Sequence, residues 1–168
     1  MTHPSSATPV DITELRVIRS HAFGEVAVPP SAIMHFASPL WGFPERHDYA
    51  LLPAARAGLY WLQAADDDVT TFILADPFVL DQGYSFDLSD TDKQAVRATQ
   101  PDDILGLVML TLPQSPDASA TANFRAPLVF NLRERLAVQI VTSDDRHSLR
   151  APADLAQFPA QADGVRLL

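Results

Sequence analysis

Leu59-Tyr60-Trp61-Leu62-Gln63, then Asp66-Asp67-Asp68, then Thr71-Phe72-Ile73-Leu74-Ala75 decide the fold class. Two short apolar runs rich in aromatic and β-branched residues flank a cluster of carboxylates, which reads as strand, solvated turn, strand. Tyr60 and Trp61 are consecutive, so they point to opposite faces of their strand, one into the core and one free to anchor a partner. Outward from this pair the pattern repeats. Leu15–Ser20, Glu25–Val28, Ala32–Phe36, Tyr49–Leu52, Ile104–Leu112, Asn123–Phe130 and Leu136–Thr142 are further candidate strands, each bounded by Gly, Pro, Asp or Ser. Leu107-Val108-Met109-Leu110 lacks a polar alternate and is expected to be covered on both faces. Ala22-Phe23-Gly24 suits a tight connection, Asn131 to Arg135 a longer hairpin loop, and Trp41-Gly42-Phe43 a filled core corner beside a turn.

The chain has 168 residues, 47% hydrophobic and 20% charged, enough for one domain with a sizeable core. Its 14 Pro against 6 Gly favour many chain reversals and few long helices. One helix is expected: Ser89 caps it, Asp92 stands three residues on as a variant capping box, Lys93–Thr99 continues it, and Pro101 stops it. A short turn over Ala153–Phe158, ended by Pro159, is a second candidate. The expected organisation is a flexible tail over 1–10, a single β domain over 11–152, and a C-terminal extension over 153–168 whose last residues, from about 159, fray. The fold class expected is mainly β, a small barrel or sandwich with one or two short helices.

Several functions are excluded or disfavoured. With no Cys, disulfides, thiol catalysis and Cys-ligated zinc are ruled out. The five His show no metal-ligand spacing, and no phosphate loop or hydrolase elbow occurs, so no catalytic, cofactor or metal residue is assigned. No apolar stretch approaches the roughly 18 residues of a membrane helix. Met1-Thr2-His3-Pro4-Ser5-Ser6 shows no secretory pattern, so a cytoplasmic protein is expected. The net charge of −9 opposes direct nucleic-acid binding. That charge is concentrated. Residues 60–105 carry ten Asp against Lys93 and Arg97 only, a field suited to steering a basic protein partner.

These landmarks, in order, resemble the family of the flagellar assembly factor FliW. The resemblance is carried by Gly24-Glu25, Gly42-Phe43, Leu51-Leu52, the block Tyr60-Trp61-Leu62-Gln63, Phe72 and Asp76-Pro77-Phe78. It continues through Tyr84, Thr121-Ala122-Asn123-Phe124-Arg125-Ala126-Pro127, Asn131 and Gln139-Ile140-Val141, and spans roughly 22–152. Two departures stand out. The family's Pro-Gly-Phe is Trp41-Gly42-Phe43 here, and its closing Tyr-x-x-Arg-His-Pro reads His147-Ser148-Leu149-Arg150-Ala151-Pro152. The resemblance implies an antiparallel β-barrel without enzymatic activity. It further implies binding to the translational regulator CsrA, relieving repression of flagellin mRNA, and binding to flagellin in the cytoplasm. Partner-contact candidates are Tyr60, Gln63, Asp76, Asn123, Arg125 and Asn131. Ala126-Pro127 reads as an edge or bulge device, because Pro donates no ladder hydrogen bond. The competing reading is a small-ligand-binding β-barrel, or an enzyme with a site assembled from loops, which needs a lined cavity with convergent polar groups.

Overall fold

A computed structural model describes residues 14–166, so the tail expected over 1–10 lies outside the described residues. Two strands, β1 (Arg16–Ser20) and β2 (Gly24–Val28), form a separate antiparallel ribbon, its turn made possible by Gly24 at φ 83°. Seven strands then close on themselves. They are β3 (Ile33–Phe36), β4 (Asp48–Pro53), β5 (Leu59–Ala64), β6 (Thr71–Ala75), β7 (Leu105–Thr111), β8 (Ala120–Asn131) and β9 (Leu136–Gln139). Each pairs with the next in sequence, and β9 closes the circle by pairing β3, giving a barrel with no free edge. The closing pair, His35 opposite Leu136 and Phe36 opposite Ala137, is parallel, the one departure from the antiparallel barrel expected. A short β10 (Ala151–Ala153), unforeseen in the sequence, pairs with the start of β8.

Strand alternation sorts the apolar residues into two layers. Phe36, Tyr49, Leu62, Leu74, Leu107, Leu128 and Ala137, one from each barrel strand, belong to a single buried cluster and therefore fill the lumen. Their alternates Ala50, Leu52, Trp61, Ala75 and Val108 face outward, yet are buried beneath Ile18 and Phe23 of the ribbon and Phe158 of the C-terminal segment. Coverage on both faces, expected for Leu107–Leu110, thus extends to β4 and β5.

The expected helix forms as α2 (Asp90–Ala95), with the Ser89 hydroxyl accepting from Asp92 N at 3.1 Å. It ends earlier than Thr99 because Arg97 turns left-handed at φ 54° and Asn131 takes the Val96 carbonyl. Pro101 instead opens a 3-10 turn over Pro101–Asp103. A second helix, α1 (Pro77–Leu80), is capped by Asp76, whose carboxylate accepts from Phe78 N at 3.0 Å. The turn read over Ala153–Phe158 is a 3-10 turn at Leu155–Gln157. Residues 159–166 do not fray. They run back over the β4–β5 connection, where Trp61 Nε1 donates to the Val165 carbonyl at 3.0 Å.

Strand β8 carries the largest irregularity. Opposite β7 the register passes from Leu107↔Leu128 to Met109↔Asn123, so residues 124–127 face a single residue, Val108. Pro127 sits in this bulge, where a missing N–H breaks no ladder bond. The bulge is held by Asn123 Oδ1, which accepts from the amides of Arg125 and Ala126 at 3.1 Å each. Tyr84 donates its hydroxyl to the Phe124 carbonyl at 2.7 Å. Beyond Gln139 the chain continues along the bulge, with Ile140 N donating to Pro127 O and Thr142 N to Arg125 O. This accounts for the strand expected as far as Thr142 ending its regular ladder at Gln139.

Candidate partner interface

The turn between β5 and β6 presents the carboxylates, and it is held from several sides. Arg46 reaches across from the β3–β4 loop, donating to Asp66 at 2.8 Å and pairing with Asp67 at 2.7 Å. Asp67 also accepts from Val69 N at 2.6 Å and from the Thr70 hydroxyl at 2.5 Å. The Thr70 hydroxyl first, then the Val69 amide and Arg46, hold the Asp67 carboxyl below its usual range. Asp68 is tied to the β1–β2 ribbon, its carbonyl accepting from His21 N at 2.8 Å and its carboxylate meeting His21 Nε2 at 3.1 Å. Asp66 and Asp68 nevertheless keep 63% and 51% of their side-chain surface in solvent.

Exposed apolar side chains stand in the same two loops. Val69 in the turn is 66% exposed, and Trp41 in the loop that carries Arg46 is 65% exposed. The expectation that Trp41-Gly42-Phe43 fills a core corner is therefore corrected for Trp41. Leu40 takes the buried place and Phe43 packs edge-on against Phe72 at 5.0 Å, while Gly42 at φ 89° swings the indole outward. An exposed Trp, on the same loop as the Arg46 that holds the carboxylates, can serve as an apolar anchor, and the carboxylates can draw in a cation-bearing surface.

The six residues singled out in the sequence do not converge. Gln63 is wholly buried beneath the acidic turn. Its Nε2 donates to the Asp67 carbonyl at 2.6 Å, and its Oε1 accepts from the Thr71 hydroxyl. Asn131 is likewise wholly buried, donating to Val96 O at 2.8 Å and accepting from Glu134 N at 3.2 Å. Both amides are corrected here from surface contacts to internal fasteners, since their side chains are wholly buried. Tyr60 and Asp76 lie together at the other end of β5. Burial, then the nearby Asp76 carboxylate, raises the Tyr60 phenol above its ordinary range. Asn123 is engaged by the bulge, and Arg125, half-exposed on it, pairs with Asp145 at 3.0 Å. The exposure of Trp41 was not foreseen. Nothing local marks which member of Leu40, Trp41 and Phe43 turns outward, because Phe72 settles it from a distant strand.

The residues around α2 form an open cleft of about 520 Å³, with Phe78, Phe86, Leu88 and Ile104 on its walls and Lys93 at its rim. Lys93 is the sole lysine of the chain. Among the described residues, no group of three His, Cys, Asp or Glu side chains is placed to hold a metal ion. No described helix is long and apolar enough to cross a membrane.

Comparison with known proteins gives a consistent answer. The family model described as FliW protein matches residues 17–153. The flagellar assembly factor FliW of Treponema pallidum is 33% identical over 147 residues, covering 86% of this chain and 97% of that protein. That of Treponema denticola is 32% identical over 129 residues, covering 77% and 87%. A crystal structure of the flagellar assembly factor FliW superposes with a TM-score of 0.75 at 25% identity, covering 88% of this chain and all of that one. The closed barrel and the matched length together place the chain in the FliW family of flagellar assembly factors.

Proposed function

We propose that the chain is a non-enzymatic partner switch of the cytoplasm. It binds the translational regulator CsrA, antagonising repression of flagellin mRNA, and it binds flagellin as a chaperone. The observation that supports this reading best is the acidic turn, clamped by Arg46, Gln63 and His21, with Val69 exposed in it and Trp41 exposed on the loop that supplies Arg46. A fixed carboxylate array speeds encounter with a basic RNA-binding protein, and the apolar anchors slow its departure. The lumen is filled by side chains from all seven strands, which argues against a ligand held inside the barrel. Exchange needs only mass action: free flagellin occupies the protein, and as its concentration falls on export the protein turns to CsrA.

Isothermal titration with CsrA and with flagellin, separately and then in competition, tests the proposal. Saturable binding of each and mutual displacement are expected, with CsrA association slowing as salt rises. Binding to neither folded partner would refute it. The cleft beside α2 keeps the ligand-binding reading in view, and a thermal-shift screen with small apolar metabolites separates the two.

A further inference from the structure

Three aromatic rings stand in a row beside α2. The centroids of Phe78 and Tyr84 are 6.0 Å apart and those of Tyr84 and Phe86 5.9 Å, each pair tilted. Each ring is fixed from outside the row. Asp76 caps the turn that carries Phe78, and the Tyr84 hydroxyl donates to Phe124 O at 2.7 Å. Phe86 lies on Gly106 with no room for a Cβ between them. Together the rings wall the open cleft of about 520 Å³, which Leu88 and Ile104 also line, and Phe78 keeps 46% of its surface in solvent. Small-molecule sites occupy about 300–1,000 Å³, and rings already held in place need little ordering when a ligand arrives.

The charges at this cleft are few and of both signs. Lys93 and Asp87 are its two charged lining residues, and both are exposed. Among the described residues neither forms an ion pair. The nearby Arg97, by contrast, is paired with Glu134 at 3.2 Å and Arg133 with Asp103 at 3.0 Å. Thr99 and Gln100 also line the cleft, but the amides of both and the Thr99 hydroxyl already donate to Asp103. The cleft therefore offers a ligand aromatic surface, one ammonium and one carboxylate. A further ring packs favourably against tilted rings. An apolar acid would complement Lys93 and meet Asp87 as a like charge, and an apolar amine would do the reverse. A zwitterion complements both.

We propose that the cleft beside α2 binds a free aromatic α-amino acid, with its ring against Phe78, Tyr84 and Phe86, its carboxylate toward Lys93 and its ammonium toward Asp87. None of these residues belongs to the acidic turn or to the loop of Trp41. The site thus stands beside the partner exchange proposed above and does not rest on it.

The full chain is titrated with L-phenylalanine at about 0.15 M salt, where long-range attraction between the acidic protein and a cation is largely screened. The amide signals of Lys93, Thr99 and Gly106 are followed by NMR. Saturable shifts at these three are expected, with half-saturation at about 1 mM or below for a ligand of this size. N-acetyl-L-phenylalanine lacks the ammonium and L-phenylalaninamide lacks the carboxylate. Each is expected to bind about tenfold more weakly than the free amino acid. Two exposed substitutions, checked for an unchanged melt, then assign the charges. Lys93→Gln should bind L-phenylalanine and its amide alike, and Asp87→Asn should bind L-phenylalanine and its N-acetyl form alike. No shift at the three amides up to about 10 mM, a level beyond which binding would be weaker than about 3 kcal/mol, overturns the proposal. So does equal or tighter binding of either masked form by the unaltered chain, which would give the cleft to the end of a peptide instead. A preference left intact by both substitutions overturns it too. Titration with CsrA and flagellin reads the other surface: if both fail to bind while L-phenylalanine binds as expected, the proposed function falls and the amino-acid site stands.

Discussion

The ring of Phe86 occupies the space that any side chain at position 106 would need: a Cβ on Gly106 would come within 2.5 Å of Phe86 Cζ. A glycine inside a strand ordinarily weakens it, and here the deficit in β7 is covered by an aromatic ring from the loop before α2. Gly106→Ala is therefore an overpacking change, expected to destabilise by about 1–3 kcal/mol in urea denaturation. Phe86→Leu in the same chain should recover part of that loss. An unchanged midpoint for Gly106→Ala would show that Phe86 moves aside freely.

The β8 bulge depends on one side-chain oxygen. Asn123→Ala removes the acceptor of two main-chain amides in a half-buried setting, and each such loss is worth about 1 kcal/mol. A destabilisation of about 1–3 kcal/mol is expected, with Asn123→Asp milder because it keeps the acceptor. Equal stability of the alanine variant would mean that the bulge is set by Pro127 and Tyr84 alone.

The short strands were legible because β-branched and aromatic runs alternate with Pro, Gly and Asp, and each break marks a reversal. The bulge was half legible. Pro127 announced a place without a ladder bond, but the Tyr84 hydroxyl that fastens it comes from 40 residues away. Gln63 and Asn131 misled, because a buried amide resembles a surface one until its partners are known, and Val96 O and Asp67 O are supplied only by the folded chain. Residues 159–166 read as frayed because they carry no apolar run or periodicity of their own, and the carbonyls and amides of the β4–β5 connection that hold them are supplied only by the folded chain. The parallel closure of β9 on β3 has no local signal at all.

Alkaline stability should carry the signature of Tyr84. Burial pushes its phenol up to about 12, from an ordinary value of 10.0. A raised folded value means that the unfolded chain loses its proton first, so the contribution is complete below pH 10 and disappears as pH climbs towards 12. Tyr49 and Tyr60 are raised by burial as well and share this limb. Tyr84→Phe should flatten part of the fall in urea midpoint across that range. An identical alkaline slope in the variant would remove Tyr84 from the account.

Acid stability has a corresponding anchor in Asp103. The Thr99 and Gln100 amides and the Thr99 hydroxyl donate to its carboxylate, and they lower its value to about 2, from 3.8. The sign is opposite: the contribution is present above pH 4 and is lost as pH falls towards 2. Asp103→Asn should lower the melting temperature at neutral pH and reduce its further drop on acidification. A parallel acid limb in wild type and variant would assign the loss to other carboxylates, Asp67 and Asp144 first, since both are also held below their usual range.

Trp41 offers the sharpest separation of binding from folding. Its side chain stands largely in solvent, and Leu40 and Phe43 on either side carry the packing of that loop. Truncating it leaves no cavity, so Trp41→Ala should melt within about 0.5 kcal/mol of the wild type, as exposed positions do. An interfacial Trp is a common hot spot, and its removal there costs about 2 kcal/mol or more, a loss of about thirtyfold in affinity. The titrations with CsrA and flagellin read this directly. Charge removal at the adjacent turn, Asp66→Asn with Asp68→Asn, should instead slow association with CsrA at low salt and leave the dissociation rate nearly unchanged. If Trp41→Ala binds both partners as tightly as the wild type, the acidic end of the barrel is not the contact surface. Attention would then pass to Arg125 on the bulge and to Tyr60 at the opposite end.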